Sequence, residues 1–299
     1  MKKVLLATTA LVAFAGVASA DVNLSGAARF GLQYTDNPVV GFPKTTLEKR
    51  VTINIDFSTE TDSGLELGGR VRLRDNEADL GTGASSANVY VKSGGLTLRV
   101  GNIHGAFDDA ATTYSGNVGL NGNGFGEVVS KNFDGYQSSP AVLPAVSNNG
   151  AEVIYTAGDF KGHLSYSHLN DATVNANRIA LVLGYTFGDW TAEIGIQEGD
   201  LPADADDIKM IGVNGSLGDF GVGFAYARNG ASNDKYRVNA SYTMGATKLV
   251  AYVADDDVMP DTLWGLGASY DLGGASLVGG YSHKGNGDNV ASAGIKFKF

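Results

Sequence analysis

The feature that most constrains this chain is an alternation of period two that begins at Val22 and returns, segment after segment, to the C-terminus. Val22, Leu24, Gly26, Ala28, Phe30, Leu32 and Tyr34 share one parity, and Asn23, Ser25, Arg29 and Gln33 the other. Successive side chains of an extended strand point to opposite faces, so the spacing predicts a strand with one apolar and one polar face. Val51, Ile53, Ile55 and Phe57 repeat it against Arg50, Thr52, Asn54 and Asp56. Thr61–Gly64 is a tight turn by its residue types, and Leu65, Leu67, Val71 and Leu73 resume the apolar face. Further strands are expected at 86–92, 96–101, 151–157, 160–168, 178–187, 190–197, 208–217, 220–228, 235–244, 247–254, 262–270, 275–283 and 289–299. With the first three they make about sixteen.

The connections alternate as well. One set is minimal, as at Gly94-Gly95, Gly158-Asp159, Gly188-Asp189, Gly218-Asp219, Gly245-Ala246 and Asp271–Gly274; the other is longer and acidic, as at Glu198–Asp207 and Asp255–Asp257. That is the pattern of up-and-down hairpins whose two ends face different compartments. Phe187, Trp190, Leu217, Phe220 and Tyr270 flank the short turns and read as an interfacial girdle. On the last strand, Ala291, Ala293, Ile295, Phe297 and Phe299 are expected to point outward, with Ser292, Gly294, Lys296 and Lys298 inward.

The competing architecture is a soluble sandwich or small barrel with its apolar face inside. Such a core needs bulky side chains, whereas many apolar-face positions here are Ala or Gly. The polar face carries Arg and Lys that a dry core would not accept. A Lys or Arg on a lipid face at mid-bilayer costs roughly 2–4 kcal/mol, and the apolar faces carry none within a strand. The expected fold is therefore all-β, a transmembrane antiparallel β-barrel filling residues 21–299 as one domain.

The remaining bulk properties fit export. Lys2 and Lys3 precede an apolar run from Val4 to Val17, and Ala18-Ser19-Ala20 is a small-residue cleavage site, so residues 1–20 are expected to be a signal peptide. Without the two lysines, 20 basic residues face 32 acidic ones, a formal charge of −12 that argues against nucleic acid as a partner. The chain has no cysteine, hence no disulfide frame or thiolate chemistry. No later run reaches the ~18 apolar residues of a membrane helix, so a route through a bilayer must be a closed sheet.

The alternation stops for almost fifty residues, Asn102 to Gly150, in a stretch rich in Gly, Asn, acidic and hydroxyl side chains. A structureless insert of that length needs a function or is disordered. The third strand offers a reason. Its inward face reads Glu66, Gly68, Arg70, Arg72, Arg74, a ladder of three arginines, with Arg29, Arg50, Lys92 and Arg99 on the same side. Like charges at this spacing need water or answering acids. The candidate acids are Asp108, Asp109, Glu127 and Asp134; if the stretch folds inward, they face the arginines across a narrow eyelet with a transverse field. As a surface flap the same acids are simply solvated. Asp255–Asp257 and Asp204–Asp207 carry the oxygen ligands that would hold calcium, or are solvated loop acids. Gly122–Gly126 lacks the following helix of a nucleotide cradle, and His104, His163, His168 and His283 show neither zinc spacing nor a convincing serine–acid partnership.

Leu24-Ser25-Gly26, Arg29–Tyr34, Thr61–Leu65, Val100-Gly101-Asn102, Gly265–Tyr270 and Gly294–Phe299 together resemble the general diffusion porins of Rhodobacter-type alphaproteobacteria, over nearly the whole mature chain. The resemblance implies a sixteen-stranded barrel in the outer membrane of a Gram-negative bacterium. It implies a homotrimer amid lipid and lipopolysaccharide, with the long third loop, about 102–150, folded into the lumen. It also implies a constriction wall, which Arg50, Arg70, Arg72 and Arg74 match, opposite Asp108, Asp109 and Glu127; Arg29, Arg99 and Asp134 join the expected set by parity and position. Ions and small hydrophilic solutes would pass a water-filled channel, with no cofactor required and calcium as a family-typical ligand. Two other readings of the barrel are an outer-membrane enzyme, which needs a rim cluster of acid, Ser and His, and a non-conducting adhesin, which needs a plugged lumen. The net charge favours cations at the mouth and the ladder anions at the wall, for an expected weak cation preference.

Overall fold

A computed structural model describes residues 20–76, 83–122, 128–129, 147–170, 175–200, 207–230 and 233–299. The expected signal peptide, apart from Ala20, and the loop acids Glu127 and Asp134 lie outside them. The described chain is a single antiparallel sheet of β1 (Asp21–Thr35), β2 (Thr45–Glu60), β3 (Glu66–Asn76), β4 (Gly83–Ala84), β5 (Asn88–Ser93), β6 (Leu96–Gly101), β7 (Ser147–Ala157), β8 (Phe160–Asn170), β9 (Asn175–Phe187), β10 (Trp190–Gly199), β11 (Ile208–Leu217), β12 (Phe220–Asn229), β13 (Asp234–Met244), β14 (Thr247–Asp256), β15 (Leu263–Asp271), β16 (Ala275–His283) and β17 (Asn289–Lys298). The two-residue β4 and β5 both pair with β3 and make one interrupted stave, so the barrel has the expected sixteen. It closes where β1 pairs with β17, Ala28 opposite Phe297 and Leu32 opposite Ala293. Phe299 N–H and C=O complete the seam on the backbone of Gly26, at 3.0 and 2.7 Å. Closure leaves no unpaired edge, which a hydrocarbon environment would not tolerate.

The short turns use glycine where the chain must reverse: Gly158 and Gly188 sit at φ 58° and 59°, a conformation that costs other residues more. The faces are inverted relative to a soluble protein. Large apolar residues point out, Leu24 66% exposed and Leu266 57%, while Ser292, Glu152 and Arg237 are buried inside. Adjacent residues show the pleat directly: Ile194 is 55% exposed and Glu193 5%. Phe187, Leu217, Phe220 and Tyr270 are exposed beside their turns, and Phe220 stacks on Tyr242 at 4.5 Å between centroids.

Several strands run past the reach of the alternation. β2 begins at Thr45, before the alternation resumes at Arg50, and β7 begins at Ser147. The stretch expected as loop to Gly150 is therefore shorter at its end: Gly150 pairs with Gly101 on one side and Ser167 on the other. Backbone pairing continues through polar residues because the ladder bonds do not depend on an apolar face.

The apolar core lies inside the barrel. Ala106, Phe107, Ala110, Val128 and Val129 pack on Ala180, Val182, Ile208, Met210, Ala225 and Ala227 of β9, β11 and β12. Val118 packs on Tyr252 and Ala254 of β14.

Candidate pore constriction

One side of the inner wall is a register of arginines. The turn at Thr61–Leu65 sets Glu60 opposite Glu66, and from there the pairing follows: Asp56 meets Arg70, Asn54 meets Arg72, Thr52 meets Arg74 and Arg50 meets Asn76. Each arginine uses the partner directly across the hairpin. Arg70 Nε donates to Asp56 Oδ1 at 2.6 Å, Arg72 Nε to Asn54 Oδ1 at 3.3 Å, Arg74 Nε to Thr52 Oγ1 at 3.2 Å, and Arg50 Nε to Asn76 Oδ1 at 3.0 Å. The row continues around the wall, since Arg29 lies opposite Arg50 on one side and Lys296 on the other. Arg29 donates through Nε and Nη2 to Glu48 Oε1, at 2.9 and 2.7 Å. On the next staves Lys92 pairs with Glu66 at 3.2 Å and Arg99 with the fully buried Glu152 at 2.5 Å.

Answering acids also lie on the wall itself. The acids that meet Arg29, Arg70, Lys92 and Arg99 are Glu48, Asp56, Glu66 and Glu152. The two described loop acids turn to partners within their own segment. Asp109 Oδ1 is 3.0 Å from His104 Nδ1, and Asp108 accepts a hydrogen bond from Tyr114. A strand register delivers acid and base to one another at no cost in loop ordering.

The other side of the inner wall carries the segment 102–122. Its backbone is held by side chains from strands far away in sequence. Ala106 N–H donates to Ser165 Oγ at 2.9 Å, and Leu120 N–H to Ser292 Oγ at 2.8 Å. Lys296 Nζ reaches the carbonyl of Gly119 at 3.0 Å, and Asn121 Nδ2 donates to Gln33 Oε1 at 2.5 Å. The tightest fastening is at Thr112. Glu193 accepts from the N–H of Ala111 at 3.0 Å, the N–H of Thr112 at 2.9 Å and the Thr112 hydroxyl at 2.8 Å. Arg237, with no exposed surface, donates to the carbonyls of Thr112 and Thr113. Hydrogen bonds to charged groups contribute about 1.5–3 kcal/mol each, and unpaired burial of either ion would cost more than that. The carboxylate and the guanidinium thus clamp one peptide stretch between them.

Close approach also requires missing side chains. A Cβ on Gly212 would fall 2.4 Å from Thr112 Cβ, and one on Gly280 2.4 Å from the backbone nitrogen of Gly119.

Two cavities border this segment. One, of about 470 Å³, is lined by Arg70, Arg72, Lys92 and Arg99 and by Asp56, Glu66, His104 and Asp109. The other, of about 1050 Å³, is lined by Arg29, Arg50, Arg74 and Lys296 and by Asn117–Gly119, and reaches the short turns at Gly245 and Gly274. The expected arginine wall is therefore divided, Arg70, Arg72 and Arg99 on one cavity and Arg29, Arg50 and Arg74 on the other. Of the expected loop acids Asp109 lines the first cavity, beside those arginines. Burial holds the Asp108 carboxyl above the usual carboxylate range, with Tyr114 and His104 offsetting part of the effect. Burial pushes Asp109 the same way, but the hydrogen bond and charge of His104, with His163 and Lys161, outweigh it and leave Asp109 below that range. Neighbouring acids of one loop so titrate apart.

Of the acidic stretches noted for calcium, Asp204–Asp206 lie outside the described residues. Asp256 is paired with Lys235 at 2.8 Å, and Asp257 Oδ2 accepts from the N–H of Asp234. Glu48, Glu152, Glu193 and Arg237 are the residues that sequence reasoning missed. The register of the 61–65 turn would have found Asp56 as the partner of Arg70; nothing local marks Glu193 or Arg237.

The chain matches the family described as Gram-negative porin over residues 7–289. It is 33% identical to a porin of Fuscovulum blasticum and 29% identical to a porin of Rhodobacter capsulatus, in both cases over 93% of this chain and all of the relative. Its structure is similar to that of a triple mutant of Rhodopseudomonas blastica porin, with a TM-score of 0.85 and 29% identity, covering 93% of this chain and all of the other. The closed sixteen-stave barrel, its outward apolar band and these matches have one reading: the chain belongs to the Gram-negative porins and is a general diffusion channel of the outer membrane.

Proposed function

We propose that the channel passes ions and small hydrophilic solutes passively, without catalysis or a required cofactor, and sieves them beside the segment 102–122. The observation that carries this reading is that segment itself. It is clamped on one half of the inner wall by Glu193 and Arg237, and the other half keeps Arg50, Arg70, Arg72 and Arg74 lining cavities. A fixed obstruction opposite a fixed row of cations narrows the path and lays a field across it. Arg29, Arg99 and Asp109 line the same cavities, Asp108 is the neighbour of Asp109, and Glu127 and Asp134 complete the expected set. Residues 1–20 act as the signal peptide, and β1 starts at Asp21, directly after the expected cleavage site. The assembly is a homotrimer within lipid and lipopolysaccharide, with calcium held by loop acids as a structural ion.

Selectivity is weak because two terms act in series. The acidic chain draws cations to the mouth, whereas the larger cavity presents six cationic side chains and one acid, Asp271, among its described lining residues. The mouth term prevails slightly for cations. The histidines go to neighbouring polar partners, His168 to Asn177, His283 to Asn289, His104 to Asp109 and His163 to Glu152. Purified protein added to a planar bilayer is expected to insert in conductance steps; a preparation of folded barrels that gave none would refute the channel reading.

A further inference from the structure

We propose that Asp109, Glu152 and His163 form a binding site for a divalent transition-metal cation of the zinc class, which ties the segment 102–122 to the barrel wall. One carboxylate or imidazole atom of each residue lies within 4.8 Å of the others. His163 Nε2 is 3.1 Å from Glu152 Oε2. Two ligands on one tetrahedral zinc stand about 3.3 Å apart, given metal–ligand bonds near 2.0–2.1 Å. The pair is already at ligand spacing, and a ligand atom of Asp109 lies within 4.8 Å of both.

The surroundings are those of a built site. The side chains of Glu152 and His163 are 0% and 2% exposed. Arg99 holds Glu152 by Oε1, which orients the carboxylate and leaves Oε2 turned to the imidazole. Outer partners of this kind fix ligands in place. His163 has no hydrogen-bond partner at Nδ1 among the described residues, so its buried ring is engaged through the cluster alone. His104 stands 3.0 Å from Asp109 as a second imidazole at the edge. Asp109 lines the first cavity, so the cluster borders the lumen on that side. Arg99 and Lys161 bring positive charge nearby, but two carboxylates and an imidazole in a place with little water are a stronger attraction for a doubly charged ion.

The imidazole sets the class of ion. Calcium takes oxygen ligands and gains little from His163, whereas zinc, nickel and copper accept a mixed nitrogen and oxygen set. Asp109 belongs to the loop, and Glu152 and His163 to β7 and β8, so the bound ion is a crosslink between loop and wall. The spacing in sequence hides this, because the three residues come together only when the segment docks.

The test is calorimetric titration of the folded, detergent-solubilised protein, stripped of metal by a chelator, with zinc chloride and, separately, calcium chloride. One zinc ion per chain is expected. His163→Gln and Asp109→Asn should each weaken zinc binding at least about tenfold. Asp109→Asn touches only a loop side chain, so it reads the site even where His163→Gln disturbs the wall; far-UV circular dichroism confirms the barrel. Absence of zinc binding to the wild type, or equal zinc affinity in wild type and Asp109→Asn, would overturn the proposal. The readout is metal uptake, so its failure leaves the channel reading intact, and a barrel that binds zinc but does not conduct would refute the channel reading alone.

Discussion

The two halves of the inner wall are built from the same alternating strands and do opposite things. On β1, β2 and β3 the inward residues are Arg29, Arg50, Arg70, Arg72 and Arg74, held by short cross-strand bonds and lining cavities. On β9, β11 and β12 they are Ala180, Val182, Ile208, Met210, Ala225 and Ala227, sealed beneath the loop. The first half is a wet surface whose charges are satisfied locally, the second a dry core whose apolar groups are satisfied at long range. A barrel wide enough for water has no core of its own. This one acquires a core where the loop segment packs on part of its lining, and the other part keeps its charged side chains lining cavities.

This contrast is open to direct attack. The largest effect is expected from Glu193→Ala, which removes three hydrogen bonds to the loop and leaves the buried N–H and hydroxyl of Thr112 without that acceptor. Docking of the segment should weaken by roughly 3–5 kcal/mol. Amide hydrogen exchange over 106–120 should rise sharply and single-channel conductance should increase, while Arg72→Ala on the wet half should leave exchange unaltered. If Glu193→Ala exchanged like the wild type, the clamp would not hold the loop.

Next in size is a pair of adjacent glycines. Gly280→Ala drives a methyl group into the backbone of Gly119, at a cost of roughly 1–3 kcal/mol. Gly279→Ala, one residue away on the other face, meets nothing nearer than 3.8 Å. Only the first should loosen the loop by exchange or by protease nicking, and equal behaviour of the two would contradict the packed half as described.

Arg72→Glu probes the wet half. Reversing one charge near the path changes its energy for a passing ion by about 1 kcal/mol, roughly a fivefold change in the cation-to-anion permeability ratio. Reversal potentials in a salt gradient read it directly, and an unchanged potential would remove Arg72 from the constriction.

The smallest effect is in pH. Asp108 has its carboxyl raised by burial, so the stability it lends the loop is full below the ordinary carboxylate value and fades as pH rises through its own. Asp109 is lowered on balance, so its contribution is present above that value and is lost as pH falls through its own. Acidification therefore neutralises Asp108 first. The cation preference should fall in two steps, the earlier one absent in Asp108→Asn; a single step that survives in that variant would show that the two acids are not separated.

Much of this was legible in the residues. The alternation gave sixteen staves, and β6, β11 and β16 fall where the periodicity places them. The inward arginines of β3 follow from parity alone, and their partners Asp56, Asn54 and Thr52 follow once the 61–65 turn fixes the register. Strands β11 and β12 even carry a trace of the covered wall, because Met210 and Ala225 are apolar on the side that should have faced water. Such a strand, apolar on both faces, has apolar surroundings on both, the loop inside and the lipid-facing band outside.

What the sequence by itself determined is the tube and the sign of its lining, because side-chain direction in a strand repeats every two residues and needs no distant information. What only the tertiary structure decided is which acids answer which bases, and what holds the loop. Glu193 meets Thr112 and Arg237 meets Thr113 across more than eighty and more than a hundred residues. An irregular segment has no period to project, so its partners are set by where a closed barrel brings the inner faces of strands far apart in the chain.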